Sequence, residues 1–131
     1  MVNVAKKVGE CLEKNRNVVF AYVYGSHARG EASRFSDLDV AVFLKDSEHE
    51  SYMELLSTLP VDEGVELDVR VLNNAPPLFR YNVIREGTLL FVKDKKVHEE
   101  FVYNTLVSAL ELKETLTRMR KERLERILDD L

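Results

Sequence analysis

Two apolar runs, joined through a glycine-serine turn and an aspartate pair, constrain this chain more than any other feature. Val18-Val19-Phe20-Ala21-Tyr22-Val23-Tyr24 closes on Gly25-Ser26, and ten residues later Asp37-Leu38-Asp39 opens Val40-Ala41-Val42-Phe43-Leu44. Runs of this length, rich in β-branched and aromatic residues and bounded by turn formers, read as strands. The first is apolar on both faces and therefore belongs in the interior of a sheet. In an extended strand Asp37 and Asp39 point to one face, with Cα atoms about 6.7 Å apart. Each half of the pattern is weak alone, because most Gly-Ser pairs are plain turns and many Asp-x-Asp pairs only terminate strands. At average residue usage the combined spacing would arise by accident with a probability on the order of 10⁻³. Together the two halves set a phosphate-binding turn beside two carboxylates, which suggests metal-dependent chemistry on a nucleotide.

The remaining elements alternate. Val4, Val8, Cys11 and Leu12 recur at helical spacing, so about residues 2–15 read as an amphipathic helix. Residues 27–36 form a polar connection with room for one helical turn at 28–32. Tyr52, Met53, Leu55, Leu56 and Leu59 mark a short helix stopped by Pro60. Val65, Leu67, Val69 and Val71 alternate with Glu66, Asp68, Arg70 and Leu72, the pattern of a strand with one apolar face. Pro76-Pro77 opens another short helix, Gly87 ends it, and Thr88 to Val92 gives a fourth strand. Asp94 is a plausible N-cap for a helix over about 95–131. The expected fold is α/β (α+β): a small mixed sheet of about four strands packed by helices, in a single domain spanning 1–131.

That last helix would extend over about 50 Å, longer than a domain of this size is wide. Its second half carries Leu116, Met119, Leu124, Ile127, Leu128 and Leu131. Either this half bends back and frays, or it is a docking surface for a partner or for a second copy of the chain.

The carboxylates demand compensation. Two of them about 5 Å apart repel by roughly 3 kcal/mol at an effective dielectric near 20. Hard oxygen ligands select Mg²⁺, or Mn²⁺, over zinc, and magnesium prefers one or two carboxylates plus substrate phosphates. Two-metal phosphoryl-transfer sites need a further acid. Asp68 is the best candidate, with Glu66 on the same strand face as its competitor. Gly25 permits a tight turn and close backbone approach. Ser26 adds a hydroxyl to backbone N–H groups able to hold phosphate oxygens.

Composition narrows the partners. A formal net charge of −4 argues against a grip on long nucleic acid, which depends on Lys and Arg neutralising phosphates. The single Cys11 excludes an internal disulfide and reads as packing. No apolar stretch suits a signal peptide or a membrane span, so the chain reads as cytoplasmic.

The segment from Gly25-Ser26-His27-Ala28-Arg29-Gly30 through Asp37-Leu38-Asp39 resembles the signature of the DNA polymerase beta-like nucleotidyltransferase superfamily. Within it the short chain looks like a minimal nucleotidyltransferase of the MNT antitoxin type. The likeness runs through Leu67-Asp68 and Ala75-Pro76-Pro77 to Ile84-Arg85-Glu86-Gly87-Thr88-Leu89-Leu90-Phe91. It implies the nucleotidyltransferase fold, two Mg²⁺ ions held by Asp37, Asp39 and Asp68, and nucleotide phosphates on Gly25 and Ser26. It also implies transfer of AMP from ATP to a protein hydroxyl, typically a tyrosine of a HEPN-domain toxin.

Arg29 and Arg34 are loop cations able to offset developing charge, with solvated arginines as the plain reading; Arg29 is the one placed with the nucleotide. His27, His49 and His98 have no evident role, and Tyr22 and Tyr24 read as core. Other readings are an antitoxin that neutralises its toxin by contact alone, and transfer to a small molecule such as an aminoglycoside. The second needs an extra helical domain for which this chain has no room.

Overall fold

The computed structural model describes residues 2–25, 37–60 and 66–131. Their order is α1 (Val2–Lys14), β1 (Val18–Tyr24), β2 (Leu38–Leu44), α2 (His49–Thr58), β3 (Leu67–Val71), α3 (Pro77–Glu86), β4 (Thr88–Val92) and α4 (Lys95–Asp129). The strands form one sheet in the order β3-β2-β1-β4. β1 is antiparallel to both neighbours, whereas β2 and β3 run parallel. The sheet is therefore mixed, and β1 lies inside it, as its two apolar faces require.

Strand alternation divides the core in two. On one face Val18, Ala21, Val23, Leu38, Val40, Val42 and Val69 pack under Val8 and Leu12 of α1 and Leu55 of α2. On the other, Phe20, Tyr22 and Ala41 meet Val83 of α3 and Phe101 of α4. Irregularities at Val18/Phe20 and at Ala21/Tyr22 shift the register of β1 against its two neighbours. Val19 consequently joins the α3/α4 face beside Phe20.

Side chains close the open ends of the sheet. Asn73 donates from its amide to the Leu44 carbonyl at 2.7 Å and accepts from the Leu44 N–H at 2.9 Å, serving as a surrogate strand pairing. Arg80 donates to the Leu72 carbonyl at 2.8 Å and to that of Asn73, with its guanidinium 5.1 Å from the centre of the Phe101 ring. Burial lowers its pKa, as expected for a charge drawn under an apolar helix. Tyr52 fastens α2 to β3 through its hydroxyl and the Val69 carbonyl at 2.9 Å.

Asp94 caps α4 as its sequence position suggests, accepting from the Val97 N–H at 3.2 Å. The helix then runs unbroken for 35 residues. Phe101 and Thr105 are buried, but every residue from 116 to 131 is exposed. The second half does not bend back. Leu124, Ile127 and Leu128 are each more than half exposed.

Candidate active site

The functional side chains meet at one end of the α3/α4 face of the sheet. Register sets Tyr24 of β1 opposite Asp39 of β2, and Asp39 beside Asp68 of β3. Adjacent strands lie about 4.8 Å apart, so three polar side chains stand in one row across three strands. Toward the interior the row is backed by Ala41 and Phe43, which belong to the apolar cluster on this face. Carboxylates at the rim of such a floor are only partly hydrated, which strengthens their interaction with any cation brought to them.

Gly25 ends β1 directly beside this row. Its φ of +75° is the only positive value among the described residues. A Cβ built there would stand 2.6 Å from Oδ2 of Asp39. The turn thus brings its backbone against the carboxylate, in the manner needed where main chain and ligand must approach closely.

Asp68 pairs with Arg70, whose Nε donates to Oδ2 at 3.4 Å. That bond is the main cause of the raised Arg70 pKa. Both side chains are well exposed, so the pair orients the carboxylate more than it stabilises the fold. Arg70 also lies 6.0 Å from the centre of the Phe79 ring, and Phe79 meets Tyr24 edge-on at 5.7 Å. An aromatic and cationic wall therefore lines one side of the carboxylates. The Tyr24 hydroxyl is pushed up to about 12, first by burial and then by the charges of Asp39 and Asp68, with Arg70 opposing. It remains a neutral donor throughout the physiological range.

Asp37 sits one residue before β2 and is exposed. The structure brings Asp39 and Asp68 side by side but does not gather all three. Among the described residues no three His, Cys, Asp or Glu side chains form a group that could hold a metal ion. The donor chemistry still fits a hard divalent cation shared with a polyphosphate, since such an ion takes one or two carboxylates and completes its shell with phosphates and water. Ser26, His27, Arg29 and Arg34 lie outside the described residues, as do the expected helical turn at 28–32 and Val65. Glu66 precedes β3, accepts from the Leu38 N–H through its carbonyl at 2.8 Å, and is exposed.

One tyrosine and one histidine differ from their sequence readings. Tyr22 is core as expected, but Tyr24 is a half-buried member of the carboxylate row. His98, read as a surface residue without a role, packs edge-on against Phe20 at 4.7 Å, and its Nε2 lies 2.6 Å from the Tyr22 hydroxyl. The available signal was its place in the helical series Val97, His98, Phe101, masked by four charged neighbours. Phe79 and Arg80 were also missed as site and scaffold residues.

No described helix is long and apolar enough to cross a membrane. No curated protein matches the sequence. Solved structures do. A chain of a toxin–antitoxin complex with AMP-PNP superposes with a TM-score of 0.73 at 21% identity, covering 91% of this chain and 97% of that one. A chain of the MntA–HepT toxin–antitoxin gives 0.69 at 19% identity, covering 95% and 99%. A chain from the complex of tri-AMPylated Shewanella oneidensis HEPN toxin with MNT antitoxin gives 0.67 at 18% identity, covering 94% and 97%. At these identities the likeness establishes a shared fold. Residues 6–96, which contain the whole sheet and the Tyr24–Asp39–Asp68 row, match the family described as Polymerase beta, Nucleotidyltransferase, and the chain belongs to that family.

Proposed function

We propose that this chain is an antitoxin-type adenylyltransferase, transferring AMP from ATP to a hydroxyl of a HEPN-domain toxin, with tyrosine as the acceptor. The observation that carries this reading is the row Tyr24–Asp39–Asp68 beside the positive-φ Gly25 turn, on a chain of the nucleotidyltransferase family. It is supported by the fold shared with a toxin–antitoxin crystallised with AMP-PNP and with an MNT antitoxin bound to an AMPylated HEPN toxin. The proposed setting is the cytoplasm, and the proposed functional unit is the single domain 1–131.

In this mechanism Gly25 and Ser26 present backbone N–H groups and a hydroxyl to the triphosphate, with Arg29 as a further cation. Asp37 and Asp39 would hold Mg²⁺, with Asp68 as the third carboxylate on the acceptor side. Bound there, two such ions would neutralise phosphate charge and lower the acceptor's pKa. The acceptor oxygen attacks the α-phosphorus, the bond to the bridging oxygen breaks, and pyrophosphate leaves. Asp68 takes the acceptor's proton, a general-base role for which Arg70 orients it. Phe79 and Arg70 offer an aromatic acceptor a ring edge and a cation.

A second reading is a contact-only antitoxin, favoured by one observation: Asp37, Asp39 and Asp68 do not form a three-carboxylate group. One experiment separates the two. The chain is incubated with ATP labelled at the α-phosphate, Mg²⁺ and a HEPN toxin. Label on the toxin, abolished by Asp39→Ala, supports transfer. Neutralisation of the toxin's nuclease activity without label, and unaffected by Asp39→Ala, supports contact alone.

A further inference from the structure

The exposed half of α4 has a counterpart on the same molecule. An apolar groove of about 670 Å³ lies between α3 and the middle of α4, lined by Leu78 and Tyr81 from α3 and Leu106, Leu110 and Leu116 from α4. The charged side chains lining it are Lys113 and Arg120, and no carboxylate contributes. Farther along, the tip of the helix presents Leu124, Ile127, Leu128 and Leu131, all exposed. Steps of four and three residues link Leu106, Leu110, Lys113, Thr117, Arg120, Leu124, Ile127 and Leu131. Groove and tip therefore lie along one face of one straight helix, with a polar stretch between them.

We propose that this face pairs two copies of the chain, the tip of each α4 seated in the α3/α4 groove of the other. Antiparallel pairing about a two-fold axis between Arg118 and Met119 sets Leu124–Leu131 of one copy over Leu106–Lys113 of the second, and the same operation fills the first groove. The contact closes on itself, so it gives a dimer and no filament. Charge selects the same occupant. The tip carries Glu122, Glu125, Asp129 and Asp130 against Arg123 and Arg126, so it is net acidic, while the groove offers only cations. A helix of this chain is thus an apolar, acidic ligand for an apolar, basic groove on the same chain. The polar centre lets Lys113 and Arg120 lay their methylenes on the interface and keep their charges at its edge. The pairing does not depend on the proposed AMP transfer, because none of its residues belongs to the carboxylate site.

The test uses the purified chain without any partner, in multi-angle light scattering across a concentration series. The expected mass is twice the 15.1 kDa of one chain. Leu110→Glu in the groove and Leu128→Glu at the tip each sit at exposed positions and should return the mass to one chain with unchanged circular dichroism. Mixing the two variants should restore a dimer population, since the mixed pair retains one intact groove and one intact tip. A parent chain that stays monomeric at every concentration, a dimer that survives both substitutions, or variants that fail to complement on mixing would each overturn the proposal. Pairing of a HEPN partner with this face in place of a second copy would also appear as a monomeric parent.

Discussion

Oδ2 of Asp39 lies 2.6 Å from the position a Cβ on Gly25 would occupy. Two demands therefore meet at one residue. The backbone needs φ near +75°, which costs an L-residue roughly 1–2 kcal/mol, and the carboxylate needs the space a methyl group would take. The turn that is proposed to hold phosphate and the acid proposed to hold metal are built as one unit.

Gly25→Ala should consequently harm the site more than the fold. Destabilisation of roughly 1–2 kcal/mol is expected from the backbone alone. Loss of Mg²⁺–ATP binding is expected from displacement of Asp39. Calorimetric titration of ATP with and without Mg²⁺, alongside a thermal melt, checks both; an alanine variant that binds Mg²⁺–ATP as the parent does would show that the close approach has no functional consequence.

Asp37→Ala and Asp39→Ala should each reduce AMP transfer to background while the domain stays folded. Removing Asp39 also relieves its repulsion with Asp68, so the thermal midpoint in the absence of metal should hold or rise. Transfer that persists with full metal dependence in the double variant would remove these residues from the site.

Asp68→Asn should retain Mg²⁺–ATP binding better than either of those variants yet lower transfer by about 10²–10⁴-fold, the usual scale of general-base assistance. Arg70→Gln should act in the same direction but less, since it removes the partner of Asp68 and leaves the carboxylate in place. Parent-like transfer by Asp68→Asn, with loss in Glu66→Gln, would move the role to the neighbouring acid.

Much of this arrangement is legible in the sequence, and the reasons differ by element. β1 announces its central place because both faces are apolar, and Asp94 announces the start of α4 because a short acidic side chain precedes a helical repeat. The neighbourhood of Asp39 and Asp68 is different. It requires parallel pairing of β2 with β3 in one particular register, and spacing along a chain does not encode register. On spacing alone Asp68 is a carboxylate within an alternating strand, a description Glu66 also meets; the resemblance at Leu67-Asp68 is what separates them. His98 was hidden by Lys95, Lys96, Glu99 and Glu100, which make its local pattern look solvated, whereas its partners Phe20 and Tyr22 come from β1, over seventy residues earlier.

Tyr24 gives the site an alkaline signature. Its folded-state value is about 12 against 10 in the unfolded chain. Its contribution to stability is therefore complete below pH 10 and is lost as the pH rises toward 12, where the unfolded chain releases the proton first. Tyr24→Phe should flatten this part of the stability profile relative to the parent, measured by denaturant unfolding at pH 9 and at pH 11 as buffer conditions. An unchanged decline in the phenylalanine variant would assign it to other groups, Tyr22 first, whose value is also raised by burial.

The clasp between α4 and β1 should respond at the acidic end. His98 is half-buried, packed on Phe20 and bonded to the Tyr22 hydroxyl, and burial lowers its pKa from 6.5 while Glu99 opposes. A histidine depressed in the folded state contributes stability that is complete above its unfolded value and is lost as the pH falls through its folded value. Below pH 6.5 the unfolded chain takes up a proton that the folded chain resists, so α4 should loosen from the sheet first. His98→Phe keeps the ring contact with Phe20 and cannot titrate; it should reduce the loss of stability between neutral and acidic pH, at the expense of leaving the Tyr22 hydroxyl without this partner. The parent and variant are compared in thermal melts at neutral and mildly acidic pH, with amide exchange in residues 95–105 as the local readout. Equal acid sensitivity in both proteins would place the titrating group elsewhere, whereas a parent that loses protection in 95–105 before the rest of the domain would locate the acid response at this one imidazole.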